Sequence, residues 1–206
     1  MVSTKIKICG LMSRDDVMAA NEVHPDYIGF VFAKSSRMIC EDLAQKLKKE
    51  LDPSILSVGV FVNQEHDMII HLCKQGIIDI VQLHGDEEED FILSLRREIS
   101  NPIIKAVRVR NVLDISTATK FSCDYLLLDA YKENEYGGSG CRFDWSLIPE
   151  MKKPFFLAGG INSSNVLQAV QQFNPYCIDV SSGVETDGRK DIGKMTELIS
   201  KIRSVK

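Results

Sequence analysis

The sequence contains no Cys-x-x-C pair: its six cysteines stand apart at positions 9, 40, 73, 123, 141 and 177, and its four histidines form no paired ligand spacing. Neither a zinc site nor a disulfide framework is therefore expected, and free thiols fit a reducing cytosol. No uninterrupted apolar run approaches the roughly 18 residues of a membrane-spanning helix. Basic residues are not in excess either. The 25 Lys and Arg are outnumbered by 29 Asp and Glu, a formal net charge of -4, without the basic stripe that nucleic-acid binding requires. The first ten residues interleave charged and apolar positions, unlike a signal peptide. A soluble, cytoplasmic protein with no nucleic-acid or membrane partner is expected. No linker, low-complexity tract or second composition regime divides the chain, so residues 1–206 are expected to form one domain. A chain of this length buries about 70% of its unfolded surface and needs no staple.

What is present is a hydrophobic content of 44% arranged in two alternating periods. Short β-rich runs occur at Thr4–Cys9, Asp26–Phe32, Leu56–Val62, Ile78–His84, Ile103–Arg108, Tyr125–Asp129, Phe155–Ala158 and Cys177–Ser181. Helical spacing occupies stretches between and after them, as in Glu41–Glu50, Asp67–Gln75, Glu87–Ile99, Val166–Phe173 and Ile192–Arg203. Ser13, Asn63 and Ser163 stand where helix caps are expected. The strands are continuous apolar runs, such as Leu126-Leu127-Leu128, as in parallel sheets covered on both faces. Strand and helix alternating about eight times predict an α/β fold, a (β/α)8 TIM barrel, with a doubly wound open sheet as the competitor.

In such a barrel chemistry sits at the C-terminal strand ends. Those ends read Cys9-Gly10, Phe32, Val62-Asn63, His84-Gly85, Arg108, Asp129-Ala130, Gly159-Gly160 and Ser181-Ser182-Gly183. The seventh and eighth ends together, Gly159, Gly160, Ser181, Ser182 and Gly183, offer bare amides and hydroxyls suited to a phosphate. An aspartate after three leucines, Asp129, needs a partner or a function. Cys9 is singled out by its strand end, whereas the other five cysteines read as small core hydrophobes. His84 alone reads as a hydrogen-bonded structural histidine. Gly137-Gly138-Ser139-Gly140 reads as a flexible loop and, beside Asp129, as a candidate lid.

Taken in order, Lys7-Ile8-Cys9-Gly10, Gly29-Phe30-Val31-Phe32, Val58-Gly59-Val60-Phe61-Val62-Asn63, Val81-Gln82-Leu83-His84-Gly85, Leu127-Leu128-Asp129, Gly137-Gly138-Ser139-Gly140 with Phe143-Asp144-Trp145, Leu157-Ala158-Gly159-Gly160-Ile161 and Asp179-Val180-Ser181-Ser182-Gly183-Val184-Glu185 resemble the phosphoribosylanthranilate isomerase family of tryptophan biosynthesis. The resemblance runs from residue 5 to about residue 194. It implies an Amadori rearrangement of a phosphosugar with no metal or cofactor, by a monomer or homodimer. It implies that Asp129 is the general acid and Cys9 the general base. Arg37 matches the residue that binds the anthranilate carboxylate, although Ser36 stands where the family commonly has proline, which implies a less rigid loop. Asp179 is expected near the substrate, and His84 is counted with the substrate-binding set. An ordinary thiol titrates near 8.5, so this mechanism expects a depressed Cys9 and a raised Asp129. A related sugar isomerase of histidine biosynthesis carries an aspartate at the first strand end, so Cys9 argues against it. The rival of another class is a catalytically inert barrel that binds phosphate.

Overall fold

The structure, a computed structural model, describes residues 3–130 and 143–205. Strands β1 (Lys5–Cys9), β2 (Tyr27–Val31), β3 (Leu56–Phe61), β4 (Ile80–Leu83), β5 (Ile103–Val109), β6 (Tyr125–Ala130), β7 (Phe155–Leu157) and β8 (Cys177–Val180) pair in chain order and close into a barrel. All the barrel pairings are parallel, and closure is made by β8 against β1, with Lys7 beside Asp179. The open-sheet alternative is thereby excluded.

The continuous apolar runs follow from burial on both strand faces. Inward residues including Tyr27, Val58, Ile80, Ile104, Leu127 and Phe156 form one cluster inside the barrel. Outward residues such as Ile6, Ile8, Ile28 and Leu128 join the larger core beneath the helices. These helices are α1 (Arg14–Val23), α2 (Glu41–Glu50), α3 (His66–Lys74), α4 (Glu89–Arg96), α5 (Val112–Ala118), α6 (Val166–Phe173) and α7 (Ile192–Ser204). Aromatic rings fill the N-terminal end of the barrel: the Tyr27 and Tyr176 hydroxyls lie 2.9 Å apart, and Tyr125 stacks on Tyr176. Polar chemistry is left to the other end.

Of the expected caps, Ser13 is one. Its Oγ accepts from Asp16 N at 3.2 Å while Asp16 Oδ2 accepts from Ser13 N at 3.0 Å, a reciprocal capping box. Asn63 is not. It takes φ 49°, and its Oδ1 accepts from Asp86 N at 2.7 Å, so it ties two neighbouring loops while Glu65 precedes α3. Ser163 is also displaced, because Asn162 Oδ1 accepts from Ser164 and Asn165 stands at the cap of α6. An asparagine carbonyl at 111 caps α5, with Asp114 completing the box.

Two connections depart from simple alternation. The described part of the β6–β7 connection carries a 3-10 turn, Trp145–Leu147, whose start Asp144 caps by accepting from Ser146 N at 2.9 Å. Gly137-Gly138-Ser139-Gly140 and Cys141 lie outside the described residues. After β8 come a 3-10 turn, Ser182–Val184, and a hairpin of β9 (Glu185–Thr186) with β10 (Arg189–Lys190), before α7. Among the described residues no helix is long and apolar enough to cross a membrane.

Candidate active site

Strand parity places Lys7 and Cys9 on the inner face of β1. Lys7 is fully buried and donates to both oxygens of Asp179, at 3.0 and 3.1 Å. Cys9 sits one step nearer the mouth, where Gly29 makes room for it: a Cβ at 29 would lie 2.7 Å from Cys9 Sγ. Burial pushes the Cys9 thiol up, the Lys7 ammonium opposes that shift, and the Asp179 carboxylate adds to it. The net direction is upward, contrary to the expected depression. The desolvation of a thiolate outweighs the attraction of Lys7, which Asp179 already neutralises, and the weaker attraction of Lys190.

Asp129 ends the inner face of β6 and is buried. Its Oδ1 accepts from Ala130 N at 2.8 Å, and its Oδ2 lies 3.3 Å from His84 Nε2. His84 is itself buried, and its Nδ1 meets Gln82 Nε2 at 2.8 Å. Arg108 on β5 is in register with Asp129 and pairs with Asp86 at 2.5 Å. The loop that carries His84 is anchored from below. Glu87 accepts from Asn63 N and Gly85 N, and Lys105 donates to Glu87 at 2.8 Å and to Gly85 O at 2.7 Å.

Gly159 and Gly160 take φ 80° and 64°, and a Cβ at 159 would stand 3.1 Å from Asp129 Oδ1. At the next strand end, a Cβ at Gly183 would fall 1.9 Å from the Ile161 carbonyl oxygen. The two glycine-bearing turns therefore lie against each other and demand glycine at 183. Ser181 Oγ donates to Cys9 O at 2.9 Å, joining the eighth end to the first.

Arg37 reaches the same mouth from the β2–α2 loop. It crosses Gly10, where a Cβ would meet its Cδ at 2.4 Å. The loop is closed by Ser35 Oγ accepting from Arg37 N at 3.2 Å and by Ile39 N donating to Val31 O at 2.9 Å, with Ser36 in the turn. The guanidinium forks onto Glu185, Nε to Oε1 at 2.8 Å and Nη2 to Oε2 at 2.7 Å. Lys190 joins the same carboxylate at 2.5 Å and reaches Ser181 Oγ at 3.4 Å. Burial works against the Glu185 carboxylate, but these two cations hold it down at about 2.

The barrel thus collects Cys9, Arg37, His84, Asp129, Gly159, Gly160, Asp179, Ser181, Ser182 and Gly183 at or just inside one end. A model of the family described as N-(5'-phosphoribosyl)anthranilate isomerase matches residues 6–201. The chain belongs to the N-(5'-phosphoribosyl)anthranilate isomerase family. Its activity is accordingly the isomerisation of N-(5'-phosphoribosyl)anthranilate in tryptophan biosynthesis. The chain is 50% identical over 201 residues to the N-(5'-phosphoribosyl)anthranilate isomerase of Endomicrobium trichonymphae, covering 98% of this chain and 99% of that one. A solved phosphoribosylanthranilate isomerase in complex with reduced 1-(o-carboxyphenylamino)-1-deoxyribulose 5-phosphate is 34% identical, with TM-score 0.84 over 98% of this chain and 100% of that one. Monomers derived from the dimeric phosphoribosylanthranilate isomerase of Thermotoga maritima superpose with TM-score 0.83 at 33% identity, covering 98% and 100% of the two chains.

Four residues of this candidate site escaped the sequence reading as individuals: Lys7, Gln82, Glu185 and Lys190. Lys7 and Gln82 had a usable signal, since each is a polar residue flanked by strand-forming apolar neighbours. Lys190 had none, because only the β9–β10 hairpin brings it back to Ser181. Among the other cysteines, Cys123 and Cys177 are buried as expected, but Cys40 is exposed, because it precedes α2 at the barrel surface.

Proposed function

We propose that this isomerase carries out the Amadori rearrangement of N-(5'-phosphoribosyl)anthranilate to 1-(2-carboxyphenylamino)-1-deoxyribulose 5-phosphate with Asp129 as general acid and Cys9 as general base. The observation that carries this reading is the order of the strand ends. Asp129 on β6 and Cys9 on β1 are separated around the barrel by β7 and β8, whose ends bear the paired glycine turns. A phosphosugar whose phosphate is held at β7 and β8 then has an acid on one side and a base on the other.

Asp129 gives its proton to the ribose ring oxygen, the C1–O bond breaks, and the anthranilate nitrogen supplies the electron pair of an iminium. Cys9, as thiolate, removes the proton from C2, and the electron pair neutralises the iminium to an enolamine. Tautomerisation moves a proton to C1 and leaves the ketone at C2. Both groups act as proton carriers, the kind of help worth about 100-fold or more in rate.

Gly159, Gly160, Ser181, Ser182 and Gly183 take the phosphate through amides and hydroxyls. Arg37 takes the anthranilate carboxylate by its planar fork, sharing it with Glu185. Asp179 and His84 line the floor and wall on which the ribose rests. The whole chain acts as one domain, as a monomer or homodimer, in the cytoplasm, where a thiol base stays reduced.

The test is a fluorescence assay that follows loss of phosphoribosylanthranilate generated in situ. Wild type turns over, and Cys9→Ala and Asp129→Asn each lose about 100-fold or more in kcat. A folded wild type that binds a phosphosugar without turnover would contradict the reading and favour an inert binding barrel.

A further inference from the structure

Gln82 and His84 point inward from β4, two residues apart, and are 1% and 6% exposed. Gln82 Nε2 stands 2.8 Å from His84 Nδ1. The other end of the same amide, Oε1, is buried with no hydrogen-bond partner among the described residues, and His84 Nε2 is likewise without a hydrogen bond among them, although it lies 3.3 Å from Asp129 Oδ2. Two orphaned polar atoms on adjoining side chains of one line, Gln82–His84–Asp129, require an account, because buried polar groups are ordinarily paired.

An amide can turn over to present either its oxygen or its nitrogen, and neutral imidazole can carry its hydrogen on either ring nitrogen. With the amide nitrogen on Nδ1, that ring nitrogen accepts, so the hydrogen sits on Nε2 and faces Asp129. This arrangement suits a carboxylate at 129. With the amide oxygen on Nδ1, the hydrogen sits on Nδ1 and Nε2 turns a lone pair toward Oδ2. Asp129 must then bring the hydrogen, which is the form a general acid requires. The second state holds one proton more than the first, and no electrons move between them.

We propose that Gln82 is a positioning residue for the isomerisation: the orientation of its amide selects the tautomer of His84, and His84 in turn decides whether Asp129 is held as acid or as carboxylate. The inference rests on the assignment of Asp129 as the acid. It uses Asp129 Oδ2, since Oδ1 already accepts from Ala130 N. Among the described residues, the charged groups around this line stand in ion pairs. Arg108 on β5 stands in register with Asp129 and is paired to Asp86. Lys7 and Asp179 are paired to each other on β1 and β8, with Cys9 above them.

The experiment is a pH titration of the imidazole nitrogen-15 shifts of the wild-type enzyme, with the His84 signals assigned by their loss in His84→Asn, alongside kinetics of Gln82→Met and Gln82→Glu. In wild type His84 changes from the Nδ1–H to the Nε2–H form as Asp129 loses its proton. Gln82→Met loses that change, and its kcat falls about 10- to 100-fold, with KM within about twofold. Gln82→Glu keeps an acceptor for Nδ1–H, holds that one tautomer at every pH, and retains more kcat than Gln82→Met. A single His84 tautomer throughout the wild-type titration, or a Gln82→Met enzyme with unchanged kcat and pH profile, would overturn the proposal. Full activity in Asp129→Asn would remove the acid assignment beneath it, which separates that failure from one confined to Gln82.

Discussion

Lys7 Nζ lies 3.0 and 3.1 Å from the two carboxylate oxygens of Asp179, inside the barrel and below Cys9. The pair has opposite effects on the thiol: the ammonium favours thiolate and the carboxylate disfavours it. Lys7→Met leaves burial and Asp179 acting in the same direction, so Cys9 titrates at higher pH than in wild type. Asp179→Asn does the reverse. The pH dependence of Cys9 alkylation by iodoacetamide reads both shifts. Lys7→Met also strands a buried carboxylate and is expected to cost about 3–5 kcal/mol of stability, measured by urea unfolding.

Glu185 joins Arg37 and Lys190 at the barrel mouth. Its folded value of about 2 lies below the ordinary 4.5, so the stability it contributes is fully present above 4.5 and is lost as pH falls toward 2. Melting temperature measured between those limits should fall with acidification, and less steeply in Glu185→Gln. On the role proposed for Arg37, Arg37→Met removes the guanidinium that receives the substrate carboxylate. KM is expected to rise by about tenfold or more, the scale of a lost charge-assisted hydrogen bond.

Gly183 has no room for a side chain, since a Cβ would overlap the Ile161 carbonyl oxygen. Gly183→Ala must push the β7 and β8 turns apart, costing about 1–3 kcal/mol and weakening inhibition by inorganic phosphate. An unaltered phosphate inhibition constant in a folded Gly183→Ala enzyme would show that the anion is held elsewhere.

Glu87 and Lys105 form a nearly dry ion pair under the His84 loop, 2.8 Å apart. Lys105→Met leaves Glu87 charged and buried and is expected to cost about 3–5 kcal/mol. Thermal unfolding of the single and double methionine variants checks this. The double variant removes both charges but leaves the Asn63 and Gly85 amides without their acceptor, so it recovers only part of that loss.

The barrel was legible because both strand faces are buried, which turns each strand into a visible apolar run ending at a polar residue. Runs such as Tyr125–Asp129 and Phe155–Ala158 match β6 and β7 to within a residue at each end. The placement of Cys9, Asp129 and the paired glycines at strand ends was readable for the same reason. Loop chemistry was harder. Asn63 has the side chain of a cap, but its bond to Asp86 crosses to a neighbouring loop, and no local pattern announces that. Glu185 and Lys190 depend on a two-stranded hairpin of two residues each, too short to show a period. The upward direction of the Cys9 shift is not legible in the sequence, which shows neither the desolvation of the thiol nor that Lys7 is already neutralised by a residue 172 positions away.

The most direct measurement is the pH dependence of kcat/KM for wild type, Cys9→Ala and Asp129→Asn under one set of conditions. The account predicts a bell in wild type, with one limb missing from the residual activity of Cys9→Ala and the other missing from that of Asp129→Asn. A bell that keeps both limbs in both variants would contradict it, because the protons of this reaction would then be carried by other groups.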